Sequence, residues 1–377
     1  MRLKYQRIIT LVLAILAIVT VPSFAAADAP SWQERLKDGI SKSMGDLAVK
    51  RGSPDLCVLT NAPYVKYRTQ SAIGCLDTVQ EATGCSQGKK NLLSYHAAVS
   101  KPLRIVLFNK KSGDGVVLTL CRGDRLTEPC SPVEASASGD GLERVKLLLG
   151  GEKILEADAY RQVMKKLGPS DAFSITSILN AWAACAPFDF LKACEFHNHY
   201  CPGVTSGALM ARLINEKYPL EKGQKYVWIG APPKCGDDAL QILLDLTPGK
   251  RSCFIKGLTR AQLKQITAEE PLNNVQGILV VWDNKANKGK GLVFTYNWVK
   301  ACKIAGLRYT DLRPPQGQKD PRFFTTRLKV NRALIAYLDK PSELVSVPKE
   351  ITVTPEMYVK FISAGSNPYE AAGLTPK

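Results

Sequence analysis

Two stretches of the sequence repeat at a constant spacing, and this repeat constrains the fold more than any other feature. Residues 77–80 (Asp-Thr-Val-Gln) resemble residues 238–241 (Asp-Ala-Leu-Gln), which lie 161 positions later. A Gly-Lys pair follows each stretch at the same interval, at 88–89 and 249–250. Similarity at a fixed offset is typical of a duplicated structural unit. The chain is therefore predicted to be a tandem duplication with two related lobes.

Each copy has the pattern of a strand, a helix and a β-hairpin. In the second copy, apolar strand-like segments lie at 227–229, 278–282 and 292–296, and a helix with an acidic start is predicted at 237–246. These elements predict an α+β fold in which two related α+β lobes pair as a pseudo-dimer. Additional helical segments are predicted around 142–149, 157–167 and 172–182.

The N-terminus has the pattern of a cleavable secretory signal peptide. Arg2, Lys4 and Arg7 precede an apolar run at 8–21, and three alanines follow at 25–27. We therefore expect a periplasmic or secreted protein. No later segment is long and apolar enough to span a bilayer, so no integral membrane segment is expected in the mature chain.

The length of the mature chain exceeds that of a typical single domain, and a small-residue linker divides it. The predicted parts are a signal peptide at 1–27, a first lobe at 28–134, a linker and helical segment at 135–185, a second lobe at 186–305 and a helical or extended tail at 306–377.

The charge balance is strongly basic. Lysine and arginine number 51 against 34 aspartates and glutamates, which gives a formal net charge of +17. Such a charge attracts acidic proteins or anionic surfaces. The basic residues are scattered and form no stripe interleaved with aromatic residues, so no nucleic-acid partner is expected.

The number and spacing of the cysteines limit which disulfide, metal and redox sites the chain can form. An exported chain with eleven cysteines is expected to form disulfides, and the odd number leaves at least one thiol unpaired or metal-bound. Cys121 and Cys130 flank a short polar loop and are candidates for one disulfide. The absence of any Cys-x-x-Cys pair excludes zinc ribbons and thioredoxin-like redox pairs.

The densest group of metal-binding side chains lies near the middle of the chain. Two of the three histidines, His197 and His199, are two residues apart, and Cys201 follows at the same interval. In an extended segment, alternate side chains point to the same side, so the three can converge on one ion. Imidazole and thiolate suit zinc first, with nickel, iron or copper as alternatives. A helix predicted at 204–218 would place Cys201 at its N-terminus, where exposed N–H groups lower the pKa of a thiol.

The same spacing has a simpler interpretation. The side chains are also compatible with ordinary hydrogen-bonded positions, and Cys201 with a disulfide to Cys185 or Cys194. A structural zinc site would also require a fourth protein ligand. The sequence contains no dinucleotide-binding, phosphate-loop, nucleophile-elbow or His-Glu-x-x-His motif, so nucleotide-dependent and common hydrolase chemistries have no support.

The His/Cys cluster belongs to a longer series of motifs. Residues 196–203 read Phe-His-Asn-His-Tyr-Cys-Pro-Gly, and a small-residue helix follows. A Cys-x-x-Asp-x-x-Gln motif at 235–241 then precedes the Gly-Lys pair at 249–250. This series, from about 190 to 296, resembles the FmdE family of proteins associated with formylmethanofuran dehydrogenase. The resemblance implies an α+β core that is often dimeric and holds a transition-metal ion.

The resemblance also implies which residues form the site. The implied metal ligands are His197, His199, Cys201 and Cys235. Three roles are open for Asp238. It could be a further metal ligand, an acceptor that orients a ligand histidine, or only an acidic residue in the first turn of its helix. Cys201, Cys235 and Asp238 are the candidate catalytic residues.

The first copy resembles a truncated version of the same family core. Residues 56–121 lack the His-x-His-x-Cys-Pro-Gly motif and have Gly74 at the position that corresponds to Cys235. Two interpretations of the first lobe remain open. Either Lys89 or Cys85 approaches the metal site across the lobe interface, or the lobe serves only as a scaffold.

Two functions remain open from the sequence. One is a metalloenzyme, in which the ion polarises a small-molecule substrate or a bound water. The other is a non-catalytic periplasmic carrier or assembly protein for a metal or metallocofactor. An open coordination position would favour the enzyme, whereas a closed sphere of four ligands would favour a structural or carrier role.

Overall fold

The fold is described from a computed structural model for residues 31–67, 69–120, 142–266 and 272–375. The predicted signal peptide, the small-residue linker at 135–141 and the proposed Cys121–Cys130 disulfide lie outside the described residues. Helices and mixed β-sheets make up the described part, so the predicted α+β class is confirmed.

The first lobe is built on a five-stranded sheet. Its elements are α1 (Trp32–Asp46), β1 (Leu56–Thr60), β2 (Lys66–Tyr67), β3 (Gln70–Ser71), α2 (Cys75–Thr83), β4 (Leu92–Ser94), β5 (Leu103–Asn109), β6 (Asp114–Leu120) and β7 (Leu142–Leu148). The strand order is β4-β1-β5-β6-β7, with β4 parallel to β1 and the other neighbours antiparallel. All five residues of β1 are buried, as expected for a strand that is covered on both faces.

The second lobe contains a second five-stranded sheet. Its elements are β8 (Gln224–Gly230), α7 (Cys235–Leu243), β9 (Cys253–Ile255), α8 (Arg260–Ile266), β10 (Val275–Asp283), β11 (Lys288–Tyr296), β12 (Val345–Val353), α11 (Pro355–Ile362) and α12 (Pro368–Ala371). The order is β9-β8-β10-β11-β12, with β9 parallel to β8 and the other neighbours antiparallel. The two sheets therefore have the same strand order and the same pattern of strand directions.

A group of central helices packs against both sheets. These helices are α3 (Ala157–Leu167), α4 (Pro169–Ala183), α5 (Phe188–Phe196), α6 (Pro202–Lys217), α9 (Trp298–Ile304) and α10 (Arg322–Ile335). Their buried side chains form one hydrophobic core with Leu59 and Phe108 of the first sheet and with Trp228 and Phe294 of the second. Because this core is continuous, the two lobes and the central helices are packed as one body.

One predicted element has a different structure. The sequence predicts a helical segment around 142–149, but Leu142–Leu148 is the edge strand β7 and pairs with β6 along its whole length. The partner strand provides hydrogen bonds that a local pattern does not reveal, so tertiary context overrides helix propensity here. The predicted helices at 157–167 and 172–182 correspond to α3 and α4. The predicted tail at 306–377 contributes α10 to the central helices and β12 to the second sheet.

No helix within the described ranges is both long enough and apolar enough to cross a membrane.

Candidate metal centre

The side chains of the site lie at the ends of three helices. His197 is the C-cap residue that follows α5, and Asn198 has a left-handed backbone conformation with a φ of 68°. Asparagine tolerates this conformation better than most residues, so the chain turns here. Cys201 immediately precedes α6, and Cys235 is the first residue of α7. The site therefore forms where one helix ends and two begin.

Glycines allow the N-terminal turns of α6 and α7 to approach closely. A Cβ atom added to Gly203 would lie 2.8 Å from the Cβ of Cys235, which is too close for two carbon atoms. A Cβ on Gly207 would collide with the backbone of Gly236. The small residues after Cys201 therefore bring its thiol next to that of Cys235.

Three of the four implied ligands come together. Donor atoms of His197, Cys201 and Cys235 all lie within 4.8 Å of one another. The His197 Nε2 and Cys201 Sγ atoms are 3.8 Å apart. Zinc–nitrogen and zinc–sulfur bonds in a tetrahedral site place such atoms about 3.6 Å apart. The separation and the chemistry of the donors therefore fit a transition-metal ion.

Asp238 orients the histidine of this group. Its Oδ2 atom lies 2.6 Å from Nδ1 of His197, and its Oδ1 accepts a hydrogen bond of 3.2 Å from Gln241. A carboxylate at Nδ1 keeps the proton on that nitrogen and leaves Nε2 free to bind a metal. Of the three roles considered for Asp238, the geometry supports the orienting acceptor, and the residue also lies in the first turn of α7.

The two thiols and the imidazole of the donor group differ in pKa. Hydrogen bonds from Cys201 and His197 stabilise the Cys235 thiolate against the effect of burial and lower the pKa of Cys235 to about 5. The hydrogen bond to Cys235 and complete burial raise the pKa of Cys201 well above its usual value. Burial opposes a charged His197, but hydrogen bonds to Asp238 and Cys235 outweigh it and raise the pKa of His197 to about 9. The low pKa expected for Cys201 therefore occurs at Cys235, because Cys201 acts as its hydrogen-bond donor.

His199 lies beside the donor group and is not part of it. Its ring centroid is 4.4 Å from that of His197 and 5.2 Å from that of Phe173. Burial, followed by the charges of His197 and Arg327, lowers the pKa of His199 to about 3. The expected extended segment is absent, because His197 belongs to a helix end and Asn198 turns the chain. Alternate residues therefore do not point to one side here.

The simpler interpretation of Cys201 as a disulfide partner is wrong for the structure described. Cys185, Cys194 and Cys201 are all free thiols. Burial raises the pKa of Cys194 well above its usual value, as is typical of an inert structural thiol.

The first lobe contacts the segment that carries His197. Tyr64 donates a 3.0 Å hydrogen bond to Oε1 of the buried Glu195, and the backbone N–H of His96 donates another of 3.0 Å to the Glu195 carbonyl. The Asn198 amide donates to the carbonyl of His96. The first lobe therefore holds the chain on both sides of His197, through Glu195 two residues before it and Asn198 directly after it.

The two candidates proposed for a cross-lobe role bond within their own lobe. Lys89 donates a 2.9 Å hydrogen bond from Nζ to the Gly84 carbonyl. The thiol of Cys85 is buried and lies 3.6 Å from the carbonyl oxygen of Leu56. The residues that connect the first lobe to the site, Tyr64 and His96, were not identified from the sequence, since no local motif marks them.

Helix α10 also contacts the loop that carries the ligands. The side-chain amide of Asn331 donates to the Tyr200 carbonyl at 2.7 Å, and the Tyr200 hydroxyl donates to the Asn331 carbonyl at 2.8 Å. These two bonds fix α10 against the residue that precedes Cys201. No signal in the sequence links α10 to this loop, because the two lie far apart in the chain.

Comparison with known families agrees with the site. Residues 196–339 match the family model FmdE, described as "Molybdenum formylmethanofuran dehydrogenase operon". The matched region covers the C-terminal part of the chain and includes His197, Cys201, Cys235, Asp238 and α10. The FmdE resemblance predicted from the sequence is therefore confirmed for this region. No curated protein matches the chain.

Proposed function

We propose that this protein is an exported metal-dependent enzyme whose centre is formed by His197, Cys201 and Cys235. The observation that carries the proposal is the convergence of one imidazole and two thiols within 4.8 Å, at a separation compatible with tetrahedral coordination. The match of this region to the FmdE family supports the same site.

Zinc is the ion that this donor set favours. A combination of two sulfur donors and one nitrogen donor is common in zinc sites, and soft thiolates disfavour magnesium, calcium and manganese. Nickel and iron remain alternatives, since imidazole and thiolate also bind them. The thiolate character of Cys235 and the orientation of His197 by Asp238 both support metal binding at this place.

The number of donors favours an enzyme over a carrier. Zinc sites with three protein ligands and one open position are typically catalytic, whereas structural sites have four. Among the residues that the structure describes, the donor group has three protein ligands and His199 lies outside it, so one position is left for water or substrate. The ion would act there as a Lewis acid. In this proposal Cys201 and Cys235 are ligands, and Asp238 acts through His197.

Two further parts of the proposal concern the whole chain. The repeat in the sequence and the shared strand order of the two sheets support a tandem duplication, with a first lobe that has lost its metal site. The charged, apolar and small-residue pattern of residues 1–27 supports export to the periplasm or beyond. Small molecules that enter that compartment would then be the source of the substrate.

The metal site is tested by analysing the metal content of protein purified from the periplasm. The wild type is expected to hold about one zinc ion per chain, and His197→Ala, Cys201→Ser and Cys235→Ser to hold much less. Cys185→Ser is the matched control, because Cys185 is an exposed free thiol. Equal metal content in all five proteins would disprove the site.

A second measurement separates an enzyme from a carrier. Zinc-loaded protein is mixed with a chromogenic chelator, and the rate of zinc transfer is recorded. An enzyme is expected to retain its ion for hours, whereas transfer within seconds to a metal-free acceptor would favour the carrier role.

A further inference from the structure

One face of α10 is directed towards the ligand loop. Asn331 is bonded to Tyr200 in both directions, and the Phe324 ring lies 5.3 Å from that of Phe173, which contacts His199. Arg327 lies between these two contact points on the helix. Residues three or four positions apart occupy the same face of a helix, so Arg327 is on the face that meets the loop.

The Arg327 guanidinium is held in place by backbone and aromatic groups. Its Nη1 atom donates hydrogen bonds to the carbonyls of Leu312 at 2.9 Å and Phe323 at 2.6 Å. Its Cζ atom lies 3.5 Å from the centroid of the Phe323 ring. These contacts use one nitrogen and one face of the group. They orient the guanidinium without neutralising its charge.

Arg327 lacks the acidic partner that the neighbouring arginines have. On the same helix, Arg322 pairs with Asp320, and Arg332 pairs with Glu152 at 2.8 Å. Within the ranges that the structure describes, no carboxylate forms an ion pair with Arg327. A half-buried cation without a counter-ion is costly, and a bound anion at this position would offset that cost.

The charge of Arg327 acts on the donor group. Burial lowers the pKa of Arg327, while the thiolate forms of Cys201 and Cys235 act in the opposite direction. Two thiolates offset the charge of a bound divalent ion. No thiolate charge then remains to balance the positive charge of Arg327.

We infer that the metal centre takes a small monocarboxylate, with the carboxylate bound to the Arg327 guanidinium beside the open coordination position. This inference rests on the proposed metal site. The planar fork of a guanidinium matches a carboxylate and also a phosphate. The divalent ion, Arg327 and the nearby Arg313 together carry four positive charges, and the two thiolates and the Asp238 carboxylate carry three negative ones. One positive charge is left over, which matches a ligand with one negative charge better than a ligand with two.

The test uses the full chain loaded with cobalt(II) in place of zinc, because the visible spectrum of cobalt reports changes in its coordination. Acetate is the probe, and inorganic phosphate is the second arm. In the wild type, acetate is expected to change the spectrum in a saturable way at lower concentration than phosphate. In Arg327→Gln, the acetate midpoint is expected to rise about ten-fold or more, since a charge-assisted hydrogen bond is lost.

Two further variants keep the test decisive. Arg327→Lys retains the charge without the fork and is expected to give an intermediate midpoint, which also answers the objection that Arg327→Gln is misfolded. Arg332→Gln removes a paired arginine from the same helix and is expected to leave the midpoint unchanged. Melting curves and cobalt content are recorded for each variant.

The outcomes separate this inference from the proposed metal site. Cobalt-loaded protein whose spectrum does not respond to acetate, or responds equally in Arg327→Gln, overturns the inference and leaves the metal site standing. Stronger binding of phosphate than of acetate overturns the monocarboxylate assignment. A wild type that takes up no cobalt overturns both proposals.

Discussion

The carboxylate of Asp238 lies 2.6 Å from Nδ1 of His197, on the side of the ring opposite the nitrogen that faces Cys201. This contact determines which nitrogen carries the proton and therefore which one is available to a metal. It also links the first turn of α7, which begins with the ligand Cys235, to the end of α5, which carries the histidine. Two of the three donors are thus connected before any ion binds.

Replacing Asp238 with asparagine should weaken metal binding and leave the three donors in place. Loss of a carboxylate that orients a ligand histidine typically reduces metal affinity about 10- to 100-fold. The affinity is measured by competition with a chelator of known strength. Asp245→Asn is the control, because Asp245 is exposed and pairs with Lys250. An unchanged affinity for Asp238→Asn would show that the contact does not position His197.

Metal binding should release protons, and its affinity should rise with pH. At pH 7 the metal-free site holds a proton on His197, whose pKa is raised to about 9, and one on Cys201, whose pKa is also raised. The Cys235 thiol, whose pKa is lowered to about 5, has already lost its proton. A metal displaces protons from its ligands, so about two protons should leave per ion at pH 7. Calorimetry in buffers of different ionisation enthalpy counts them, and a release of none would contradict this protonation pattern.

The two neighbouring histidines should differ in their importance. His197→Ala removes a donor and should abolish stoichiometric zinc binding, whereas His199→Ala should retain about one ion per chain. His199 is buried against Phe173, so its replacement is expected to lower the melting temperature by loss of packing. Metal content and thermal unfolding are measured on both variants. Equal loss of metal in the two would place His199 among the ligands.

The sequence identified residues that converge in the structure, but it did not predict the conformation of the loop that carries them. The linked motifs at 196–203 and 235–241 led to Cys201 and Cys235, and to Asp238 beside them, because the motifs are short and contiguous. The conformation of the loop was not predictable from alternation, since a single left-handed residue, Asn198, changes where each side chain points. Arg327 contacts the site only through the packing of a distant helix, and such contacts leave no local pattern.

In the fold as well, elements with a local sequence pattern were predictable, and elements that depend on distant contacts were not. In the second copy, the strands predicted at 227–229, 278–282 and 292–296 lie within β8, β10 and β11, and the β-hairpin between β10 and β11 is where it was expected. The helical prediction for Leu142–Leu148 is wrong because the conformation of this segment depends on pairing with β6 rather than on its own residues. Elements whose hydrogen bonds come from a partner strand are those that local patterns fail to predict.

Contacts from the first lobe should tune the metal site. Tyr64→Phe removes the hydrogen bond to the buried Glu195, two residues before His197, and should weaken metal binding about two- to five-fold. Lys89→Ala is the control, because its amine bonds to Gly84 inside the first lobe. Metal affinity is measured by chelator competition, and unfolding is followed in metal-free protein. If Tyr64→Phe binds metal as tightly as the wild type and the control, the Tyr64–Glu195 hydrogen bond has no role in positioning His197.

A buried lysine beside the site should limit the stability of the fold. The Nζ atom of Lys234 is buried and has no hydrogen-bond partner among the described residues, and burial lowers the pKa of Lys234 to about 8. At pH 7 the amine is still charged, and the charge of Asp237 offsets only part of the cost of burying it. Lys234→Met should therefore stabilise the metal-free protein by about 1–3 kcal/mol.

The gain from Lys234→Met should depend on pH in a defined direction. Between about pH 8 and the ordinary lysine pKa of 10.5, the unfolded chain holds a proton that the folded chain has lost. Wild-type stability then rises with pH, so the advantage of the variant should shrink. Denaturant unfolding at pH 7 and pH 9.5 measures this difference, with Lys250→Met as the control for an exposed lysine. A variant that is less stable than the wild type at pH 7 would mean that the Lys234 amine makes a favourable interaction in the folded protein.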